Sequence, residues 1–247
     1  MAYQDIMQSI QRQLALDYNC SPDDFTKDGF VFTESKENPD RRPFPWFTPR
    51  LEMVTFGRGV VVSATDDVQS YIREQLNGKT RDDAFNMPFV HGTALYFLPN
   101  TAKITPLQIL GEYKFEMTEQ PDISSLYSME GFSNAIGNDE NHPRPDMLAV
   151  LAKSGDDIIG IAGASVDCEL MRQIGIDVLP GHRNKGVAAT LVNKLAIEIL
   201  RRGFIPYYAT AGSNIASQRT AIKAGLIPAW TCIYKAWIGG VLTPPLC

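Results

Sequence analysis

Neither a metal site nor a disulfide framework can be drawn from this sequence. The four cysteines (Cys20, Cys168, Cys232 and Cys247) share no close spacing, and the three histidines (His91, His142 and His182) are scattered. The CxxC and HxxxH patterns of zinc sites are therefore missing, and no metal is expected. No apolar run approaches the length of a bilayer span. The opening "MAYQDIMQSIQRQLALDY" carries acidic and amide residues where a secretory signal needs a basic start and an apolar core. The expectation is a cytoplasmic chain with free thiols and no membrane partner. A basic excess is lacking too: the net charge of −5 argues against nucleic acid as a partner. With 247 residues, 44% of them hydrophobic and 21% charged, the chain suffices for one large globular domain or two modest ones.

The pattern along the chain divides at about residue 110. Residues 3–17 carry Ile6, Ile10, Leu14 and Leu16 at helical spacing. "CSPDDF" reads as a turn, and "RRPFPWFTPR" (41–50) as an extended, ordered connector. "LEMVTFGRGVVVSA" is β-rich, "TDDVQSYIREQL" is a helix with Thr65 as N-cap, and "GTALYFLPN" is a strand. This gives an α+β domain, 1–110, with no chemical motif. The second domain, 111–247, predicts the order β, α, β, β, β, α, β, α, β. Its elements are a strand at 112–119, one or two helices at 122–137, a hairpin at 147–169, and a strand at 171–179. A helix then runs to Arg202, stopped by Gly203, before a strand at 205–210, a helix at 214–224 and a strand at 229–238.

The chemistry concentrates in "IGIDVLPGHRNKGVAATLVNKLAIEIL" (174–200). An apolar strand leaves through a loop holding His182, Arg183 and Lys185 and enters an amphipathic helix at Gly186. The first amides of a helix lack internal partners and carry partial positive charge, so such a junction is ready to hold an anion. A surface β–α turn with solvated charges is the plain alternative. In the helix, Leu191, Val192, Leu195, Ile199 and Leu200 form the expected buried face, with Asn193, Lys194, Glu198 and Arg201 outside. Gly181 and Gly186 have the spacing of a P-loop, but Val187-Ala188 stand where Lys-Ser/Thr would bind phosphate and magnesium; GxGxxG is absent.

Val178-x-Pro180, followed by Arg183-Asn184-Lys185-Gly186-Val187-Ala188, resembles the pyrophosphate loop of the GNAT acetyltransferases. "SNIASQRTAIKAGL" (213–226), with Asn214, Ser217, Lys223 and Gly225-Leu226, resembles that family's following helix. The resemblance covers roughly 112–247 and is nearest the bacterial members with an extra N-terminal region. It implies a GNAT fold: an α/β (α+β) architecture with a mixed, mainly antiparallel sheet splayed at its central parallel strands, preceded by a smaller α+β domain. It also implies acetyl-CoA as acyl donor, held by the loop from Arg183 to Ala188 and by the backbone of Ile176, Asp177 and Val178, with Asn214 and Ser217 towards the pantetheine or thiol. An N–H of the strand, with that of Val178 preferred, would stabilise the oxyanion.

The family's general-acid tyrosine is replaced by Ala221, so Tyr207, Tyr208 or Ser217 substitutes, with Tyr208 preferred, or the thiolate leaves unassisted. For the base, Glu169 is preferred over Asp167, Gln173 and Asp177. Phe132 and Asn134 are candidates for the acceptor wall, with Asp139, Glu140 and Asp146 to attract a cationic amine; core packing and a solvated loop are the plain readings. The implied reaction is N-acetylation of a primary amine, that of a small molecule preferred. A catalytically impaired acetyl-CoA sensor or interaction module and a protein N-acetyltransferase are the alternatives. A homodimer is compatible with the sequence.

Overall fold

The computed structural model describes residues 1–43, 50–108 and 113–243. Residues 44–49 of the expected connector, and the expected domain boundary at 110/111, lie outside the described residues. In chain order the elements are α1 (Tyr3–Asp17), β1 (Phe30–Glu34), β2 (Leu51–Thr55), β3 (Val60–Ala64), α2 (Asp66–Leu76), α3 (Arg81–Phe85), β4 (Val90–Pro99), β5 (Tyr113–Glu119), β6 (Asp146–Ser154), β7 (Asp157–Val166), β8 (Met171–Val178), α4 (Val187–Arg201), β9 (Ile205–Ala211), α5 (Ile215–Lys223), β10 (Leu226–Ile238) and β11 (Val241–Thr243). The fold is mixed α/β. Two compact units result, each assembled from separate stretches: Met1–Tyr3, Phe97–Tyr208 and Ile215–Ile227 make the motif unit, and Gln4–Tyr96, Ala209–Asn214 and Pro228–Cys247 the flanking unit.

In the flanking unit the stretch expected to be β-rich forms the antiparallel pair β2 and β3, β1 pairs parallel to β3, and β10 pairs antiparallel to β2 and β11. Leu51, Met53, Val62, Ile72, Leu76 and Ile233 are its fully buried core. Along α1 the stripe Ile6, Ile10, Leu14 is buried, but Leu16 is 36% exposed, because two residues past Leu14 the helix has turned about 200°. Thr65 sits at the N-cap position of α2 without capping it; its hydroxyl bonds instead to the Asp67 carboxylate. β1 and α3 go beyond the sequence expectation. Both are five residues long, and α3 has a usable signal: Thr80 and Asp83 form a capping box with reciprocal backbone bonds.

In the motif unit β5, β6, β7 and β8 run antiparallel in that order, and β8 pairs parallel with β9. The helix α4 between β8 and β9 lies against β6, β7 and β8, burying Leu191, Val192, Leu195 and Ile199. Two expectations fail here. Asn193, expected outside, is 1% exposed. It accepts from the N–H of Leu107 at 2.8 Å and donates to the carbonyls of Thr105 (3.0 Å) and Ala224 (2.9 Å), so a buried amide is satisfied by fixing two neighbouring segments. The expected helices at 122–137 reduce to one 3-10 turn, Asp122–Leu126. Gly131 at φ +91 interrupts the run, and bonds to sheet carboxylates, described below, take the place of a helical ladder.

Candidate active site

The register of β8 decides what its edge can do. Gly163 and Gly175 are cross-strand partners, as are Gly160 and Val178. At the two ends of this ladder Leu179 N–H bonds to Ile159 and Asp167 N–H to Met171. In an antiparallel pair such bonded residues alternate with unbonded ones. The odd residues of β8 therefore spend their amides on β7, while Ile174, Ile176 and Val178 direct theirs the other way. Parallel pairing with β9 occupies that other edge only from Met171↔Ile205 to Ile174↔Tyr208. The pairing ends at Ile174↔Tyr208, and the N–H groups of Ile176 and Val178 point away from β7 along the edge of β8 beyond it. Asp177, expected with them, faces β7 with its backbone.

The strand runs into the loop through the turn Pro180–His182. Asn184 (φ 62) and Gly186 (φ 86) are both left-handed, a conformation costly for residues other than glycine and tolerated by asparagine. Arg183, Asn184, Lys185 and Gly186 are exposed, Ala188 is half-buried, and Val187 is buried as an anchor for the helix. The Arg183 Nε donates to the Val178 carbonyl at 2.8 Å, fixing the loop to the strand end; at the loop's other side His182 Nδ1 lies 3.3 Å from the Tyr113 hydroxyl. α4 is N-capped by Gly186 with no side-chain bond, and no acidic residue stands in its first turn. Its first amides are thus left for a ligand of negative charge, flanked by Arg183 and Lys185. These residues suit the diphosphate of CoA.

Tyr208 stands at the last paired position of β9 along β8. Its hydroxyl is 2.6 Å from that of Ser217 on α5, while Ala221 is fully buried on the same helix. Burial pushes the Tyr208 hydroxyl above the usual tyrosine range and the charge of Asp177 adds to this, against the bond with Ser217. Tyr207 points elsewhere: its hydroxyl bonds Asp167, which also pairs with Arg144 at 3.3 Å and accepts from Ser165 at 3.1 Å. Gln173 Oε1 lies 3.0 Å from the same hydroxyl. Glu169 is exposed in the β7–β8 turn, at the end of β8 opposite the loop. The eight residues of β8 separate it from that loop, roughly 25 Å at strand rise. Asn214, whose N–H donates to the Ala211 carbonyl at 2.9 Å, belongs to the flanking unit.

Phe132, Asn134 and Asp146, among the acceptor candidates, are engaged already. Phe132 is 2% exposed within a cluster of Ile123, Ile136, Leu151 and Ile161, so it offers a ligand no wall. The Asn134 side chain donates to Asp177 Oδ1 at 2.8 Å, and the N–H groups of Asn134 (2.7 Å) and Ala135 (3.1 Å) reach Oδ2. Asp146 holds the N–H groups of Gly137 and Asn138, each at 2.8 Å; burial raises its pKa against those bonds. Glu140 and Asp146 do share a cavity of about 350 Å³ with Glu119, Gln120, Pro145 and Met147, but Glu119 is paired with Arg202 at 2.5 Å. Sequence reading misses how the 132–138 strap is held. Its signal is present in the glycines inside apolar strands, which mark close approach of another backbone. A Cβ on Gly163 would lie 2.0 Å from the Ala135 carbonyl oxygen, and one on Gly175 1.9 Å from that of Asn134.

A mixed α/β unit whose parallel strand pairing stops beside an anion-ready loop has the layout of a site for a phosphate-bearing ligand along a strand edge. More particularly, residues 112–225, somewhat less than half of the chain, match the model of the acetyltransferase (GNAT) family. No curated protein matches the chain. Among solved structures it is similar to a GNAT-family acetyltransferase from Colwellia psychrerythraea (15% identity, TM-score 0.41, 57% of this chain and 54% of that one). A second is a GNAT-family protein from Novosphingobium aromaticivorans (15%, 0.40, 57% and 62%). A third is a GCN5-related N-acetyltransferase from Sphaerobacter thermophilus (14%, 0.46, 70% and 57%). The chain thus spans about three-fifths or less of the length of each. No helix among the described residues is long and apolar enough to cross a membrane.

Proposed function

We propose that this chain is an acetyl-CoA-dependent N-acetyltransferase acting on the primary amine of a small molecule. The observation that carries this reading is the end of the β8–β9 pairing at Ile174↔Tyr208, which leaves the amides of Ile176 and Val178 on the edge of β8 directly before an open helix N-terminus. Arg183, Lys185 and the amides of Val187, Ala188 and Ala189 would hold the diphosphate. Ile176 and Val178 would pair with the pantetheine as an added strand does. Bound there, acetyl-CoA supplies an acyl thioester open to attack by amines.

The chain's own contribution is positioning and two polar groups. The Val178 N–H points away from β7 at the edge of β8, where it can receive negative charge developing on a carbonyl oxygen. Tyr208, protonated at neutral pH and steadied by Ser217, can give its proton to a departing sulfur. As the C–N bond forms and the C–S bond breaks, the amine's proton goes to water. The carboxylates weighed as bases are committed or distant: Asp177 bonds Asn134 and Ala135, Asp167 bonds Tyr207 and Arg144, and Glu169 stands at the far end of β8. The acceptor accordingly reacts as the neutral amine, and the rate rises with pH until the free amine predominates. A small acceptor fits a strap fixed at both ends better than a peptide does, because a peptide needs an open groove.

Thermal melting with and without acetyl-CoA tests the binding half: ligand at a hundred times its dissociation constant adds about 2.7 kcal/mol. Mass spectrometry for free CoA over a panel of small amines tests transfer. No melting shift overturns the reading. A shift with no amine acetylated overturns the transferase and leaves a CoA-binding module.

A further inference from the structure

We propose that Asp177 is a positioning residue that fixes the acceptor-side strap, residues 132–138, to the strand that carries the cofactor. Three hydrogen bonds converge on this one carboxylate: the Asn134 N–H and the Ala135 N–H on Oδ2, and the Asn134 side-chain amide on Oδ1. The strap lies where β7 and β8 have glycines facing one another, Gly163 and Gly175, with the carbonyls of Ala135 and Asn134 in the space a side chain would fill. Two glycines and a carboxylate on one face of the sheet, spaced to receive two successive peptide units, form a seat for this backbone.

The seat has a directional logic. Because β8 alternates, Asp177 projects its carboxylate to the strap face, while its neighbours Ile176 and Val178 turn their amides to the edge of β8 away from β7. One strand therefore registers the acceptor side against the donor side within a residue's spacing. Asp146 anchors the far end of the same strap through Gly137 and Asn138, so losing Asp177 frees one end only. The charge of Asp177 also reaches the Tyr208 hydroxyl and helps to keep it protonated. The kinetic consequence rests on the acetyltransferase reading; the structural one does not.

The test uses Asp177→Ala and Asp177→Asn in the full chain. Asparagine is isosteric and its carbonyl oxygen can still accept from both main-chain amides; alanine can accept nothing. Hydrogen exchange read by mass spectrometry should speed up about tenfold or more in peptides covering 134–135 in the alanine variant, with peptides of β8 itself unchanged, and return close to the wild-type rate with asparagine. Calorimetric titration with CoA should give the wild-type affinity in both. With the first amine of the panel that turns over, alanine should raise the amine KM several-fold more than it lowers kcat. Unchanged exchange at 134–135 in the alanine variant overturns the proposal, as does an equal loss in both variants or a loss of CoA affinity matching the loss of amine affinity. If wild type binds no CoA, the acetyltransferase reading falls, and the exchange arm still decides the role of Asp177.

Discussion

Replacing Gly175 by alanine puts a methyl group where the strap already is. The Cβ would stand 1.9 Å from the Asn134 carbonyl oxygen, 3.0 Å from its carbon and 3.2 Å from the Ala135 Cα. Ordinary contact needs about 3.5 Å, and every obstructing atom is backbone, so no rotamer can relieve the clash. The strap must lift by roughly 1–2 Å, which pulls the Asn134 and Ala135 amides off Asp177. Overpacking of this kind costs about 1–3 kcal/mol, and the two lost bonds about 1 kcal/mol each; about 3–5 kcal/mol is expected in all. Two controls bracket the effect. At Gly160 the nearest atoms to a Cβ would be side-chain ends, Leu191 Cδ1 at 3.0 Å and Val178 Cγ2 at 3.2 Å, and at Gly181 it would meet nothing within 4 Å. Gly160→Ala should cost about 1 kcal/mol or less and Gly181→Ala stay within about 0.5 kcal/mol of wild type. Urea unfolding should be followed by far-UV circular dichroism, because Trp230 and Trp237 both lie in the flanking unit. A Gly175→Ala protein as stable as Gly181→Ala would refute the seat.

Three further outcomes are expected. Tyr208→Phe should lower kcat about a hundredfold while leaving CoA affinity intact; an unchanged kcat would remove Tyr208 from proton transfer. Asn193→Ala strands the Leu107 N–H and the carbonyls of Thr105 and Ala224, and should cost about 3 kcal/mol in chemical denaturation; a cost below about 1 kcal/mol would show those groups reaching water instead. Glu198 is held down to about 2, chiefly by its bond with Arg201 and further by Arg202. A folded value below the ordinary 4.5 means stability present above 4.5 and lost as pH falls towards 2. The melting temperature of the wild type should therefore fall more steeply over that range than that of Glu198→Gln, and parallel acid limbs would contradict it.

What can be read from the sequence is what periodicity and local chemistry encode. The strand expected over 171–179, the helix start at Gly186 and the buried stripe of α4 follow from apolar spacing and from the chemistry of a β–α turn. The hairpin β6–β7 follows from two apolar runs around a polar turn. The 132–138 strap is not legible as such, because its shape is dictated by carboxylates more than forty residues away in one case and by glycines on two different strands. Asn193 shows the same limit: polar residues in helices usually face water, and only partners from the 105–107 segment and the end of α5 make its burial favourable. Phe132 and Asn134, expected to line a pocket, instead close a core and bond Asp177, since an apolar ring and an amide look alike in sequence in either role. Proximity in sequence to β8 favours Glu169, whereas the direction in which that strand runs sets it far from the loop.

The chain's passage between its two units has a practical corollary for portability. It crosses from one to the other at 96/97, 208/209, 214/215 and 227/228, besides the first few residues, so the stretch that matches the family is not a cassette with clean ends. A fragment beginning at residue 111 would discard residues 97–108, and with them Thr105 and Leu107, two of the three partners of the buried Asn193. Swapping such domains between homologues would have to carry residues 97–108 along with the α4 they clasp.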